Sequence, residues 1–269
     1  MPHAVSLCGD IVVTRQFGHV GAMSIPQPDI PSKAILSSSH PVVFLGGGHA
    51  SAADLADALT ICGKLVAVDG GLVTAQTAGR MPDAVIGDMD SAPPEALARV
   101  PIARQHQVSE QQSTDFDKAL RSVAAPVVVG LGFCGGRVDH QLAAFHTLLV
   151  HADRPCILVG ADEVIVMAPP QVSLEMVAGE VVSLFPMLPV QGRSTGLEWP
   201  IDGLAFDPAR FVGTSNRATG EVTLMMDTPG MLLIVPKRYL RPLVAHFVQG
   251  GARWPARAAP RTSPLPPSG

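Results

Sequence analysis

Residues 84–91 read AVIGDMDS, an apolar run that stops at Ile86 and gives way to Asp88 and Asp90. Such a run predicts a short buried strand that releases both carboxylates into a loop at its carboxyl edge. In an open α/β sheet, that edge is where ligands bind. The same arrangement recurs upstream. Leu65–Val68 predicts a strand ending in Asp69-Gly70-Gly71, and Pro41–Leu45 predicts one ending in Gly46-Gly47-Gly48, followed by a helix over about 51–61. Strand, glycine turn and helix in succession open a parallel α/β unit, and two successive strands deliver acids to one rim.

Downstream, 113–120 reads STDFDKAL. Thr114 is placed to cap a helix whose first turn holds Asp115 and Asp117, and Asp115 and Lys118 then share a face by the i, i+3 rule. Hard carboxylate oxygens suit Mg²⁺, which completes its shell with water and substrate phosphates, while a lysine offsets phosphate charge. The stretch from Val85 to Lys118 therefore reads as a magnesium and phosphate site. For either cluster alone, turn chemistry or a plain helix start is an equally good account. Gly46–Gly48 suits either a tight turn or a phosphate-binding loop, and matches neither the dinucleotide fingerprint nor the lysine-containing phosphate loop. Farther on, GGRVDH (135–140) offers Arg137 as a planar fork for phosphate or base, and Asp139 as an N-cap or a substrate-positioning acid. His140, His146 and His151 read as helix packing, because no second ligand stands at metal spacing.

Past Pro169-Pro170 the texture changes to short strands over 172–176, 181–185, 221–226 and 231–235, with no long helical period. The chain thus predicts an extension over 1–40, an α/β nucleotide-binding domain with a parallel sheet over 41–169, a smaller all-β sandwich over 170–249 and a disordered tail over 250–269. Within the sandwich, Ser215 and Asn216 are adjacent polar groups in a loop. Trp199, in GLEWP, suits core packing or a binding surface.

Composition excludes several classes. A net charge of −4 leaves no basic excess for nucleic acid. No apolar run approaches the roughly 18 residues of a membrane helix. Cys8, Cys62, Cys134 and Cys156 form no C-x-x-C pair, as expected of free thiols in a reducing compartment. No secretory pattern opens the chain, so the expected location is the cytoplasm.

Taken together, DGG, PDAVIGDMDS, STDFDKAL, GGRVDH, GLEWP and TSN, in that order over about Val42–Pro236, resemble the thiamine pyrophosphokinase (thiamine diphosphokinase) family. The resemblance implies transfer of diphosphate from ATP to the hydroxyl of thiamine, giving thiamine diphosphate and AMP, in a homodimer with thiamine sites near the subunit interface. It implies Mg²⁺ on Asp88 and Asp90, with Asp69 and Asp115 as further ligands or positioning acids. It also implies ATP phosphates on Gly47, Gly48, Thr114, Lys118 and Arg137, with Asp139 orienting substrate. Thiamine would meet Ser215, Asn216 and, less directly, Trp199. Met89 and Leu72 depart from the family pattern. Two other readings are a magnesium-dependent nucleotide hydrolase, with water as acceptor, and a non-catalytic thiamine or nucleotide sensor.

Overall fold

The computed structural model describes residues 34–256. Most of the extension expected over 1–40, including Ile11–Val13, and the tail beyond 256 lie outside the described residues. The first described strand, β1 (Leu36–Ser37), pairs in parallel with β6 (Val123–Ala124). The main sheet begins with β2 (Val42–Leu45), α1 (Ala52–Ile61), β3 (Lys64–Val68), α2 (Gly71–Thr77), β4 (Ala84–Gly87), α3 (Pro94–Leu97) and β5 (Gln105–Gln107). After α4 (Asp115–Ser122) and β6, the chain returns as β7 (Val128–Leu131), α5 (Val138–Val150) and β8 (Cys156–Val159).

These strands pair in parallel in the order β5-β4-β3-β2-β7-β8. Strands β3 to β5 extend the sheet from one side of β2, and β7 from the other. The gap above β2 and β7 is therefore the point where strand order reverses, the natural ligand crevice of such a sheet. The central strands are apolar throughout because both their faces are covered: every residue of β2, β4, β7 and β8 is buried. Ser51 caps α1 by accepting from the Asp54 amide at 3.0 Å. Thr114 caps α4 by accepting from the Asp117 amide at 3.3 Å, as its sequence predicts.

The second half continues the same sheet. Strand β9 (Glu163–Met167) runs antiparallel to β8. Beyond it come β14 (Met231–Pro236), β11 (Val181–Pro186) and β13 (Gly213–Met226), all antiparallel. Strand β13 is long enough to serve two layers. Its first residues pair with β11, while its last stretch lies between β10 (Gln171–Leu174) and β12 (Gly192–Leu197). Alternating burial along β10, β11 and β12 marks one face toward the core and one toward solvent.

The architecture is thus one mixed, 12-stranded sheet rather than a parallel sheet followed by a separate all-β unit. One apolar cluster runs from Val43, Leu45 and Leu55 in the first half to Val182, Leu224 and Leu233 in the second. The second half also contains a helix, α6 (Leu240–Val248), where the sequence reading has none. It buries Leu240, Leu243, Val244 and Phe247, spaced as one helical face, and tolerates Pro242 because that residue sits in its first turn. Residues 102–104 form a 3₁₀ turn, and pairing starts at Gln105. Among the described residues, no helix is long and apolar enough to cross a membrane.

Candidate active site

Four loops at the carboxyl edge surround a cleft of about 600 Å³. Its walls are Gly46–Gly48 after β2, Asp69 and Gly70 after β3, Ser91 after β4, and Gly132–Cys134 with Gly136 and Arg137 after β7. Thr114, Asp115 and Phe116 bring the amino end of α4 to the same space. The glycine loops are tied together by the Gly48 amide donating to the Gly132 carbonyl at 3.1 Å. A Cβ on Gly48 would stand 2.5 Å from that carbonyl oxygen, so close packing explains this glycine. A Cβ on Gly47 would meet nothing nearer than 3.5 Å, which leaves its backbone available to the cleft.

Three of the expected acids converge. Carboxylate oxygens of Asp69, Asp88 and Asp115 all lie within 4.8 Å of one another. Lys118 closes the group, with Nζ 2.9 Å from Asp115 Oδ1 and 3.3 Å from Asp88 Oδ2, and is only 1% exposed. The Asp88 amide also donates to Asp115 Oδ1, at 3.2 Å. The backbone beneath is unusual. Asp69 has φ 45°, Met89 has φ 70° and Gly87 has φ 156°. A Cβ on Gly87 would fall 2.9 Å from Asp69 Cβ, so glycine is what lets two acid-bearing loops approach. Side chains at left-handed φ are costly and tend to persist where a site holds them.

Asp90 stands outside this triangle, which revises the expectation that Asp88 and Asp90 form the primary pair. Its amide donates to Asp88 Oδ1 at 3.3 Å, and its own Oδ1 accepts from the Ser91 hydroxyl at 2.9 Å. It buttresses Asp88 from the neighbouring position.

The charges explain the arrangement. Burial, followed by the negative charge of Asp115, pushes the Asp69 carboxyl above its ordinary range, against the opposing pull of the nearby Ser91 hydroxyl. Burial also works against the charge on Asp88, but the Asp90 amide and the Lys118 ammonium outweigh it and hold that carboxyl low. For Lys118, burial favours the neutral amine. The hydrogen bond to Asp115 and the charges of both acids overcome it, so the ammonium is held above its ordinary range. One lysine thus faces several carboxylates, and Asp69 Oδ1 is buried with no hydrogen-bond partner among the described residues. An orphaned oxygen among hard oxygen donors with excess negative charge is what a divalent cation would satisfy, so these residues fit Mg²⁺.

The other expected residues divide. Arg137 lines the cleft, and its guanidinium grips Asp139 in a bidentate pair at 3.1 and 2.6 Å. Asp139 is therefore not the N-cap of α5, a position that Arg137 occupies. His140 is exposed on the cleft wall, where the sequence reading has a packing residue. Ser215, Asn216 and Trp199 do not line this cleft. Asn216 is buried against Trp199: its Oδ1 accepts from the Trp199 and Arg217 amides at 3.2 and 2.8 Å, and its Nδ2 donates to the Trp199 carbonyl at 2.7 Å. Ser215, at φ 64°, donates its amide to Ser183 Oγ at 2.9 Å.

Sequence reasoning missed Ser91, Phe133, Cys134 and the glutamines beside Asp88. Gln107 Nε2 donates to the Asp88 carbonyl at 3.0 Å, and Gln111 Nε2 lies 3.4 Å from Asp88 Oδ2. Only the polarity of the 105–113 run could have signalled them.

Residues 56–158 match the family described as thiamin pyrophosphokinase, catalytic domain. The chain is 26% identical over 180 residues to thiamine pyrophosphokinase 2 of Oryza sativa subsp. japonica, an alignment covering 60% of this chain and 67% of that protein. Against thiamine pyrophosphokinase 3 of the same plant it is 27% identical over 172 residues, covering 57% and 64%. The second alignment spans slightly less than two thirds of its relative. Among solved structures, the thiamin pyrophosphokinase of Geobacillus thermodenitrificans superposes with a TM-score of 0.60 at 25% identity, covering 73% of this chain and 96% of that one. That of Candida albicans shares the fold at 15% identity, with a TM-score of 0.61 and coverage of 79% and 95%. The chain is thus similar to the thiamin pyrophosphokinase catalytic domain in sequence over residues 56–158, and to solved thiamin pyrophosphokinases in fold over about three quarters of its length.

Proposed function

We propose that this chain is a thiamine diphosphokinase, which transfers diphosphate from ATP to the hydroxyl of thiamine and releases AMP. The observation that carries the reading is the convergence of Asp69, Asp88 and Asp115 on one another, with Lys118 paired to the last two, beside a cleft of nucleotide size. The match of residues 56–158 to the thiamin pyrophosphokinase catalytic domain supports the reaction class.

In this reading, Asp69, Asp88 and Asp115 hold Mg²⁺, with Asp90 supporting Asp88. When bound, the cation screens the ATP phosphates and stabilises charge on the departing AMP. The thiamine hydroxyl oxygen bonds to the β-phosphorus of ATP, the bond from that phosphorus to the α,β-bridging oxygen breaks, and the hydroxyl proton passes to a carboxylate or to solvent. Gly47, Thr114 and the amino end of α4 offer backbone N–H groups to phosphate. Arg137 exchanges its Asp139 partner for a phosphate oxygen, leaving Asp139 free to orient substrate. Lys118, pinned between two acids, fixes their geometry and contributes positive charge behind the phosphates. Positioning of the two reactants supplies much of the rate.

The thiamine end is assigned to the antiparallel half, with Ser215 and Trp199 as contacts and Asn216 holding the Trp199 backbone in place. Because none of the three lines the ATP cleft, the reading includes a homodimer in which a second copy brings its antiparallel half toward that cleft. The β-rich segment over 170–249 then serves thiamine and dimer contacts, and 41–169 serves Mg²⁺ and ATP. The cytoplasm, with ATP and reduced thiols, is the matching compartment. Cys62, Cys134 and Cys156 are free and buried.

The test is product identification after incubation with ATP, Mg²⁺ and thiamine. Thiamine diphosphate and AMP in equal amounts support the reading. Free phosphate or diphosphate without a thiamine product would make the protein a hydrolase, and binding without turnover would make it a sensor.

A further inference from the structure

Helix α4 has a second polar face, turned away from the acid cluster. Arg121 is 4% exposed, and Asp117 and Ser122 are buried beside it. His151, at the end of α5, places Nε2 3.1 Å from Asp117 Oδ2, so it is not the packing residue its sequence suggests. Arg121 Nε lies 3.9 Å from Asp117 Oδ1, too far for a hydrogen bond. Its Nε and Nη1, with Asp117 Oδ1 and Ser122 Oγ, have no hydrogen-bond partner among the described residues. A buried ion cluster so poorly satisfied adds little to stability, and replacing such a cluster as a whole by apolar side chains of similar volume often serves stability as well or better. Such a group calls for another reason to be there.

Among the described residues, the ion pair that Arg121 makes outside its own helix supplies that reason. Nη2 lies 3.3 Å from Glu110 Oε2. The other oxygen of Glu110 accepts from the Gln112 amide at 3.1 Å, the Ser113 amide at 2.9 Å and the Ser113 hydroxyl at 2.8 Å. Burial disfavours the Glu110 charge, yet the Ser113 donors and then Arg121 prevail and hold the carboxyl below its ordinary range. Glu110 is thus the organiser of the turn over 110–113, which leads directly into the Thr114 cap. That turn also carries Gln111, whose Nε2 rests 3.4 Å from Asp88 Oδ2. A continuous set of contacts therefore runs from His151 and Asp117, past Arg121, to Glu110, Gln111 and Asp88.

We propose that Arg121 is a positioning residue: by anchoring Glu110 from behind α4, it locks the 110–113 turn and holds Gln111 against Asp88, fixing that carboxylate for the cation. The proposal rests on the reading of Asp88 as a cation-binding acid and deepens it. Arg121 touches neither cation nor substrate, and its effect reaches them only through the turn.

The test compares wild type, Arg121→Met, Arg121→Lys and Glu110→Gln. Amide exchange is resolved by NMR, Mn²⁺ binding to the substrate-free protein is followed by electron paramagnetic resonance, and thermal unfolding is recorded in chelator. In Arg121→Met, exchange at the Gln112 and Ser113 amides should quicken tenfold or more and Mn²⁺ affinity should fall threefold or more. The unfolding temperature should fall, because Asp117 and Glu110 lose their counter-charge, so exchange and Mn²⁺ binding are read well below the transition. Arg121→Lys should recover part of both losses. Glu110→Gln, altered at the turn itself, should reproduce the exchange and Mn²⁺ changes, and it carries the test should Arg121→Met fail to fold. Unchanged exchange and Mn²⁺ affinity in Glu110→Gln would overturn the proposal, as would losses that simply track unfolding temperature across the variants. If wild type makes no thiamine diphosphate while these shifts appear, the functional reading fails and the positioning role stands.

Discussion

The two halves of the sheet treat their buried polar groups in opposite ways. In the parallel half, Asp69, Asp117, Arg121 and Ser122 keep buried polar atoms without partners, and among the described residues these are the ones that do. In the antiparallel half, Asn216 is equally buried, yet both ends of its amide are engaged by the backbone of its own chain. Folding normally satisfies buried polar groups, so the exceptions mark where something other than folding has set the residue. In the proposed reading Asp69 serves a cation, whereas the amide of Asn216 ties the backbone around Trp199.

The largest effect that could break this comparison lies at the acid triangle. Asp69→Asn, Asp88→Asn and Asp115→Asn should each lower magnesium-dependent turnover by two orders of magnitude or more, about 3 kcal/mol of transition-state stabilisation. In chelator, Asp69→Asn should keep or raise the unfolding temperature, since it removes one of several mutually repelling carboxylates. Near-normal initial rates across a magnesium titration would end the metal assignment. Asn216→Ala tests the opposite half. It should cost stability, about 1–3 kcal/mol, because the Trp199 amide and carbonyl lose their partner. Urea unfolding in chelator reads that cost, and Mn²⁺ affinity should not change. A variant as stable as wild type that loses thiamine use alone would make Asn216 a direct substrate contact instead.

A smaller effect is expected at Asp90, which lies beside the triangle and not within it. Asp90→Asn should reduce turnover about tenfold, or about 1.4 kcal/mol, clearly less than Asp88→Asn in the same assay. Equal losses would return Asp90 to the primary ligand set. The smallest effect sharpens the contrast within the parallel half. Burial pushes the Cys62 thiol up to about 12, and burial with the Glu163 charge pushes Cys134 up to about 11. At pH 8 both should react with iodoacetamide far more slowly than a free thiol. Cys134 lines the cleft, so ATP with Mg²⁺ should slow it further and leave Cys62 unchanged, as peptide mass spectrometry can follow.

What the sequence disclosed depended on how local the signal was. Strands covered on both faces are written as unbroken apolar runs, so β2, β3 and β4, and the acids that follow β3 and β4, were legible. The i, i+3 pairing of Asp115 with Lys118 was equally local. The grip of Lys118 on Asp88 joins residues from separate elements, and no spacing rule reaches that far. Strand β12 and the first part of β13 were hidden because their exposed faces carry Arg193, Thr195 and Ser215, which read as loop. Helix α6 was legible and overlooked: Pro242 reads as a breaker, although Leu240, Leu243, Val244 and Phe247 trace a helical stripe. Asn216 shows the reverse error, in which a polar residue in a loop-like context suggested ligand contact while its amide served the backbone of Trp199.

The ladder between β8 and β9 has a mechanical meaning. Ile157, Leu158 and Val159 pair with Val166, Ile165 and Val164, so the parallel and antiparallel halves are stitched edge to edge over a shared core. Relative movement of the halves cannot proceed as a hinge without tearing that ladder, and must take the form of a change in sheet twist. Cutting the chain beyond β9 would strip a long, apolar edge of its neighbour and leave it open to pairing with other chains. The acid-bearing rim and the antiparallel strands are therefore one cooperative unit, expected to melt in a single transition.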